Sequence, residues 1–179
     1  SKPLGCYGDG GALFTDDDEL SDIMRQIRVH GQMKKHHHPR LGINGRLDSI
    51  QAAIVMSKMA IFDEEILKRQ VVAEEYNSRL ERDDIILPQV DSGNSSVYAQ
   101  YTILCNDRDQ VQKNLTDSGV PSVPYYAVPL HLQPVFNDLG HEVGDFPVTE
   151  SVSKRCLSLP MNPYLKNEEI DQVCQAILV

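Results

Sequence analysis

Positive charge is in short supply. Lys and Arg number 17 against 26 Asp and Glu, a formal net charge of -9 over 179 residues. Nucleic acids and anionic membranes both reward Lys and Arg, so neither is expected as the main partner. Long apolar runs are missing too: no stretch is long enough to span a bilayer, and there is no signal-peptide pattern. The cysteines are few and scattered. Cys6, Cys105, Cys156 and Cys174 form no C-x-x-C pair, which speaks against a disulfide framework and for reduced thiols in a cytoplasmic protein. Internal repeats and low-complexity segments are also absent. What is there, 41% hydrophobic and 24% charged, is ordinary for a globular chain. Its length suffices for one domain with a real core, or one domain plus an arm.

The patterning predicts alternating helices and strands. Residues 11–14 read as a short strand. Thr15, with Asp18 three residues on, reads as the N-cap of a helix that buries Leu20, Ile23, Met24 and Ile27. His30-Gly31 closes that helix. Residues 32–44 form a loop rich in Lys and His. Residues 46–82 carry no Gly or Pro and read as one long helix. Its two apolar stripes are Leu47, Ile50, Ile54 and Ile61, then Phe62, Ile66, Ala73, Tyr76 and Leu80. Such a helix packs along a partner subunit, bridges two lobes, or curves within one domain. Strands are expected at 97–104 and 122–126, and helices at 107–118, 134–139, 149–156 and after a capping Asn167. The last buries Ile170, Val173, Cys174 and Ile177. The pattern implies a small α/β lobe with a mostly antiparallel sheet.

The first twelve residues, SKPLGCYGDGGA, set one lysine beside a run of glycines. Lys2 precedes Pro3, which pushes it into an extended conformation. A lysine held over such a loop can attack a carbonyl and form a Schiff base if burial or a neighbouring cation lowers its pKa; it reads equally as a surface lysine at a frayed terminus. Asn44 beside Gly45 reads by itself as a simple turn. Arg46 reads as a bidentate ligand for carboxylate or diphosphate, or as a helix-start charge. His36, His37 and His38 invite a metal reading. Consecutive residues point in different directions and no acidic or Cys ligand is near in sequence, so no metal site is expected.

Three blocks resemble one family. They are Lys2-Pro3-Leu4-Gly5 with Gly8-Asp9-Gly10-Gly11-Ala12; Arg28-Val29-His30-Gly31-Gln32 with residues 41–53, LGINGRLDSIQAA; and residues 125–134, YYAVPLHLQP. Together they are similar to the DegT/StrS-type nucleotide-sugar aminotransferases, in the family's order and at about its spacing. The resemblance implies an α/β protein of fold type I dependent on pyridoxal phosphate. Lys2 would be the catalytic residue, joined to the cofactor and moving a proton between cofactor and substrate carbons. Some relatives carry histidine there and catalyse dehydration; Lys2 points away from them. Asn44 would reach the cofactor phosphate across a homodimer with shared active sites. Arg46, Tyr125, Tyr126 and His131 would bind substrate, with His30 lining the site or capping its helix.

Relatives that aminate a uronate are expected to carry histidine then tyrosine where Tyr125 and Tyr126 stand, and tyrosine cannot carry positive charge at neutral pH. The RLDSIQ version of the second block is most similar to enzymes acting at sugar C3. A UDP-linked 2-acetamido-3-keto hexuronate is therefore the expected substrate, glutamate the expected amino-acid donor, and surface polysaccharide synthesis the expected destination. The family's lysine lies near the middle of full-length members, so an upstream half carrying most of the cofactor cage is expected. On that division residues 1–45 end the large domain, 46–82 are a connecting helix, and 83–179 form the small C-terminal domain.

Overall fold

The computed structural model of the chain describes residues 2–178; Ser1 and Val179 lie outside the described residues. The chain folds as two compact units that part between Phe62 and Asp63.

The first unit is two helices and the loops that flank them. Helix α1 spans Asp18–Ile27 and α2 spans Ser49–Met59. The cap of α1 is Asp17, whose carboxylate accepts from the Leu20 amide at 3.0 Å. Thr15, the cap expected from sequence, instead accepts from the Asp17 amide with its hydroxyl. The strand expected at 11–14 does not form; those residues are irregular and exposed. Helix α1 does not bury the face its spacing predicts either: Leu20 is 45% exposed and Ile27 37%. Among the described residues of this unit only Gly31 is buried, so its apolar stripes lack a core of their own.

The single helix expected over 46–82 is two. Helix α3 spans Phe62–Arg79, and Ala60-Ile61 separate it from α2. Most of α3 belongs to the second unit and supplies one wall of its core through Val72, Ala73 and Tyr76, with Leu80 just beyond. The second unit continues with β1 (Ile85–Ile86), β2 (Tyr101–Cys105), α4 (Arg108–Asp117), α5 (Pro147–Arg155), β3 (Cys156–Leu159) and α6 (Asn167–Leu178). Two 3-10 turns, Leu130–Leu132 and Pro134–Leu139, precede α5.

The sheet is antiparallel in the order β1-β2-β3, with Ile85 opposite Cys105 and Tyr101 opposite Leu159. The antiparallel expectation holds, but the strands lie elsewhere. Residues 97–100 stay outside β2, and 122–126 give one bridge, Val123 to Ser158. Strand β3, where the sequence predicts only a helix end at Cys156 and no element beyond it, is buried at all four residues. Tyr76 and Tyr101 pack with ring centroids 4.9 Å apart, and the Tyr76 hydroxyl donates to the Pro160 carbonyl at 2.9 Å. Each large apolar side chain buried here contributes about 1.5–3 kcal/mol relative to exposure. Helix α6 buries Ile170, Val173, Cys174 and Ile177 as the spacing predicts. The carboxylate at its start is Glu169, which accepts from the Lys166 amide at 2.8 Å; among the described residues the Asn167 side chain makes no capping bond.

Candidate functional site

The candidate residues divide between the two units. Lys2, Asn44 and Arg46 belong to the first; Tyr125, Tyr126 and His131 belong to the second.

Lys2 is exposed, on an irregular segment that turns at Pro3-Leu4 and runs along α2. Asn44 and Arg46 sit at the return of a closed loop. After α1 the chain leaves at Val29 and comes back at Asn44, which pairs with Val29 in an antiparallel bridge. Backbone bonds stitch the crossing: Ile43 to the Ile27 carbonyl at 2.8 Å, His30 to Ile43 at 2.9 Å and Gly45 to Arg28 at 2.8 Å. The crossing has no room for a side chain. A Cβ on Gly31 would sit 1.9 Å from the Arg40 carbonyl oxygen, and one on Gly42 would sit 2.0 Å from the Gly31 nitrogen. Asn44 and Arg46 are thereby presented on a rigid return with both side chains exposed.

The histidines of the loop have structural work. His30 and His36 both take left-handed backbone conformations, and Lys34 pairs with His37 in a tight turn. His38 donates from Nδ1 to the His30 carbonyl at 3.0 Å, which fixes its tautomer. Among the described residues no group of three His, Cys, Asp or Glu side chains is placed to hold a metal ion.

In the second unit Tyr125 and Tyr126 occupy a turn, with Tyr126 left-handed at φ 60°. The Tyr125 carbonyl accepts from the Cys156 thiol at 3.2 Å. Both rings are exposed, Tyr125 by 43%, so Tyr125 is not a core residue. Tyr126 and His131 line a cleft of about 430 Å³ with Val128, Leu130, Phe146 and Thr149. A larger cleft, about 640 Å³ along Glu74, Ser78, Arg82 and Leu87, holds none of the candidate residues.

His131 is held by a residue that sequence reasoning missed. Glu150, buried on α5, takes three donors on one oxygen: the Gly144 amide at 2.8 Å, His131 Nε2 at 3.2 Å and the Phe146 amide at 3.3 Å. The Gly144 amide is the main reason its carboxyl titrates below the ordinary range; burial opposes this, and Phe146 and His131 add to it. Asp145 is lowered too, mainly by the Glu142 amide and also by His141. A carboxylate depressed on folding stabilises above its unfolded pKa, about 4.3 for glutamate, and loses that contribution as pH falls through the folded value. The Gly144 and Phe146 amide proton shifts are therefore expected to stay constant from neutral pH to about 5, then move together with a midpoint below about 4.3. Glu150→Ala is expected to abolish that titration and lower the melting temperature, because two backbone amides and an imidazole lose their part-buried acceptor. A flat response in the parent protein would show that Glu150 is not their acceptor.

The cysteines are free, and burial pushes Cys105 and Cys174 up to about 11, which suits inert core thiols.

A model of the DegT/DnrJ/EryC1/StrS aminotransferase family matches residues 1–178. The chain belongs to this family. It is 48% identical over 177 residues to the UDP-2-acetamido-2-deoxy-3-oxo-D-glucuronate aminotransferase of Pseudomonas aeruginosa, covering 99% of this chain and 48% of that protein. A pleiotropic regulatory protein of Geobacillus stearothermophilus is 43% identical over 180 residues, with 99% and 48% covered. The crystal structure of a DegT DnrJ EryC1 StrS aminotransferase from Brucella abortus is 44% identical, with a TM-score of 0.91 over 98% of this chain and 47% of that one. The chain thus spans about half the length of the curated relatives it matches. The fold is α/β and of the family's fold type I.

Aminotransferases of this family depend on pyridoxal phosphate. The residues present fit that group. Lys2 offers an exposed primary amine and Asn44 an exposed amide, and neither side chain is committed to another among the described residues. An aldehyde needs the first, and a phosphate oxygen is met by the second.

Proposed function

We propose that the protein carrying this chain is a pyridoxal-phosphate-dependent transaminase acting on a nucleotide-linked keto-sugar. The first unit is then the end of its large cofactor-binding domain and the second its small C-terminal domain. The single observation that carries this is an uncommitted lysine amine on the family's lysine segment, in a chain 48% identical over 177 residues to an enzyme named for transamination of a 3-oxo sugar. The reaction exchanges the amino group of a donor, glutamate by preference, for the ketone oxygen of the sugar. The favoured substrate is a UDP-linked 2-acetamido-3-keto hexuronate, and the product feeds surface polysaccharide synthesis in the cytoplasm. The apolar faces of α1 and α2, which bury no residue among the described residues, suit cover by further chain and by the second subunit of a homodimer.

The cofactor, when bound, supplies the electron sink. Lys2 would hold it through Nζ and would carry the proton to and from the substrate carbon at the same atom. Asn44 donates its amide to the phosphate. Arg46 takes the sugar carboxylate or the diphosphate through two parallel bonds. Tyr125 and Tyr126 offer hydroxyls to the sugar, and His131, fixed by Glu150, presents its free Nδ1 as an acceptor.

The test is a half-reaction. The intact enzyme, converted to its aminated form, is expected to turn over one equivalent of the UDP-linked 3-keto hexuronate and to leave 4-keto sugar nucleotides untouched. Reaction with the 4-keto panel alone would overturn the assignment to C3.

A further inference from the structure

The segment that bears Lys2 has no ladder to hold it. Residues 2–15 contain no helix or strand, so their backbone groups must find partners elsewhere. Two come from one helix. The Gln51 side-chain carbonyl accepts from the Tyr7 amide at 2.8 Å, and the Lys58 ammonium donates to the Gly5 carbonyl at 2.7 Å. Gln51 and Lys58 are seven residues apart, two turns of α2, and so share a face about 10 Å long. They grip opposite polarities of the backbone, an N–H and a C=O, two residues apart. Both anchors are half-buried, and the Lys58 bond is charge-assisted in a partly desolvated place, which makes it the stronger. Neither contact is local: they join positions 44 and 53 residues apart.

We propose that α2 is a splint for the lysine segment, with Gln51 and Lys58 as positioning residues for the Lys2 amine. Gly5 lies three residues from Lys2, so fixing its carbonyl sets where the lysine stem begins. Neither residue touches the reacting atoms; each acts through the backbone it holds. The role as positioning for catalysis rests on the proposed attachment of the cofactor to Lys2.

The experiment uses the intact cofactor-loaded enzyme. Gln51→Met and Lys58→Met keep side-chain length and remove the acceptor or the donor. Each is expected to speed amide exchange across residues 4–8 about tenfold, the scale of one hydrogen bond, with exchange in α6 unchanged. The same variants are expected to lose cofactor faster on gel filtration and to lower kcat more than KM. Gln51→Glu and Lys58→Arg, which keep an acceptor and a donor, are expected to restore slow exchange. Parent-like exchange in both Met variants would overturn the splint. Borohydride fixation on the parent enzyme separates the two claims: failure to label Lys2 sinks the functional reading, whereas the exchange result depends only on the anchors.

Discussion

Gly42→Ala is expected to cost the enzyme at least about 100-fold in kcat/KM, the penalty that a misplacement of roughly 1 Å can carry. The reason lies where the chain crosses itself. A Cβ on Gly42 would lie 2.0 Å from the Gly31 nitrogen, 2.5 Å from the His30 carbonyl carbon and 2.6 Å from the Ile27 oxygen. All three are backbone atoms, and two of those residues belong to the bonds that close the loop. A flexible side chain would swing aside; a stitched backbone cannot. Ordinary overpacking costs about 1–3 kcal/mol, and this contact is closer than any such case allows, so the return must shift and take Asn44 and Arg46 with it. Gly31→Ala is expected to behave alike, having in addition a φ of +70°.

Gly45→Ala is the control. Its Cβ would meet the Ile43 side chain at 3.1 Å and the Arg28 Cα at 3.5 Å, contacts that a small rotation relieves. It sits between the same two candidate residues, yet near-parent activity is expected. If Gly42→Ala retained parent activity and stability, the rigid return would not be what presents Asn44 and Arg46.

How much of this was legible in the sequence depends on where each element finds its partner. Helices α4 and α6 announce themselves, because their apolar spacing matches the face they bury and acidic residues stand at their starts, Asp107 capping α4 and Glu168 and Glu169 in the first turn of α6. Strand β3 does not. Cys156-Leu157-Ser158-Leu159 is covered on both faces, so no alternation marks it, and it follows directly on α5. The break between α2 and α3 falls at Ala60-Ile61, residues that favour continuing a helix, so no breaker flags it. Residues 11–14 are a short apolar run, yet no ladder forms among the described residues. At the site, Lys2, Asn44, Arg46, Tyr125, Tyr126 and His131 could be named because they sit in blocks that resemble a family. Glu150 and Lys58 sit in no such block, and Gln51, though it stands in the second block, shows no partner until the fold brings Tyr7 to it. Each acts on backbone or side chains 19 to 53 positions away in the case of His131, Tyr7 and Gly5, and that distance is closed only by folding.

Lys2→Ala is expected to leave the intact enzyme colourless and to lower transamination by on the order of 10²–10⁴ from lost proton transfer alone. Two functions fall with one amine. The covalent hold on the cofactor goes first, so cofactor is expected to exchange freely on dialysis. The acid–base group at the substrate carbon goes with it, so excess cofactor is not expected to restore the rate. Lys2→Arg sharpens the point. It keeps the positive charge and a long stem, but a guanidinium stays protonated at any working pH and cannot attack an aldehyde. If Lys2 served only as a surface charge or a phosphate contact, the arginine variant would retain most activity. If it is the attachment point, arginine is expected to be as inert as alanine. The same pair of variants separates an enzyme from a sugar-nucleotide sensor that kept the fold, a distinction that a 43% identical relative named as a regulatory protein makes worth drawing. A sensor would remain colourless with excess cofactor and would bind nucleotide sugar equally well with lysine, arginine or alanine at this position. An enzyme is expected to be yellow with lysine alone, and borohydride treatment is expected to fix the label on the peptide that contains Lys2.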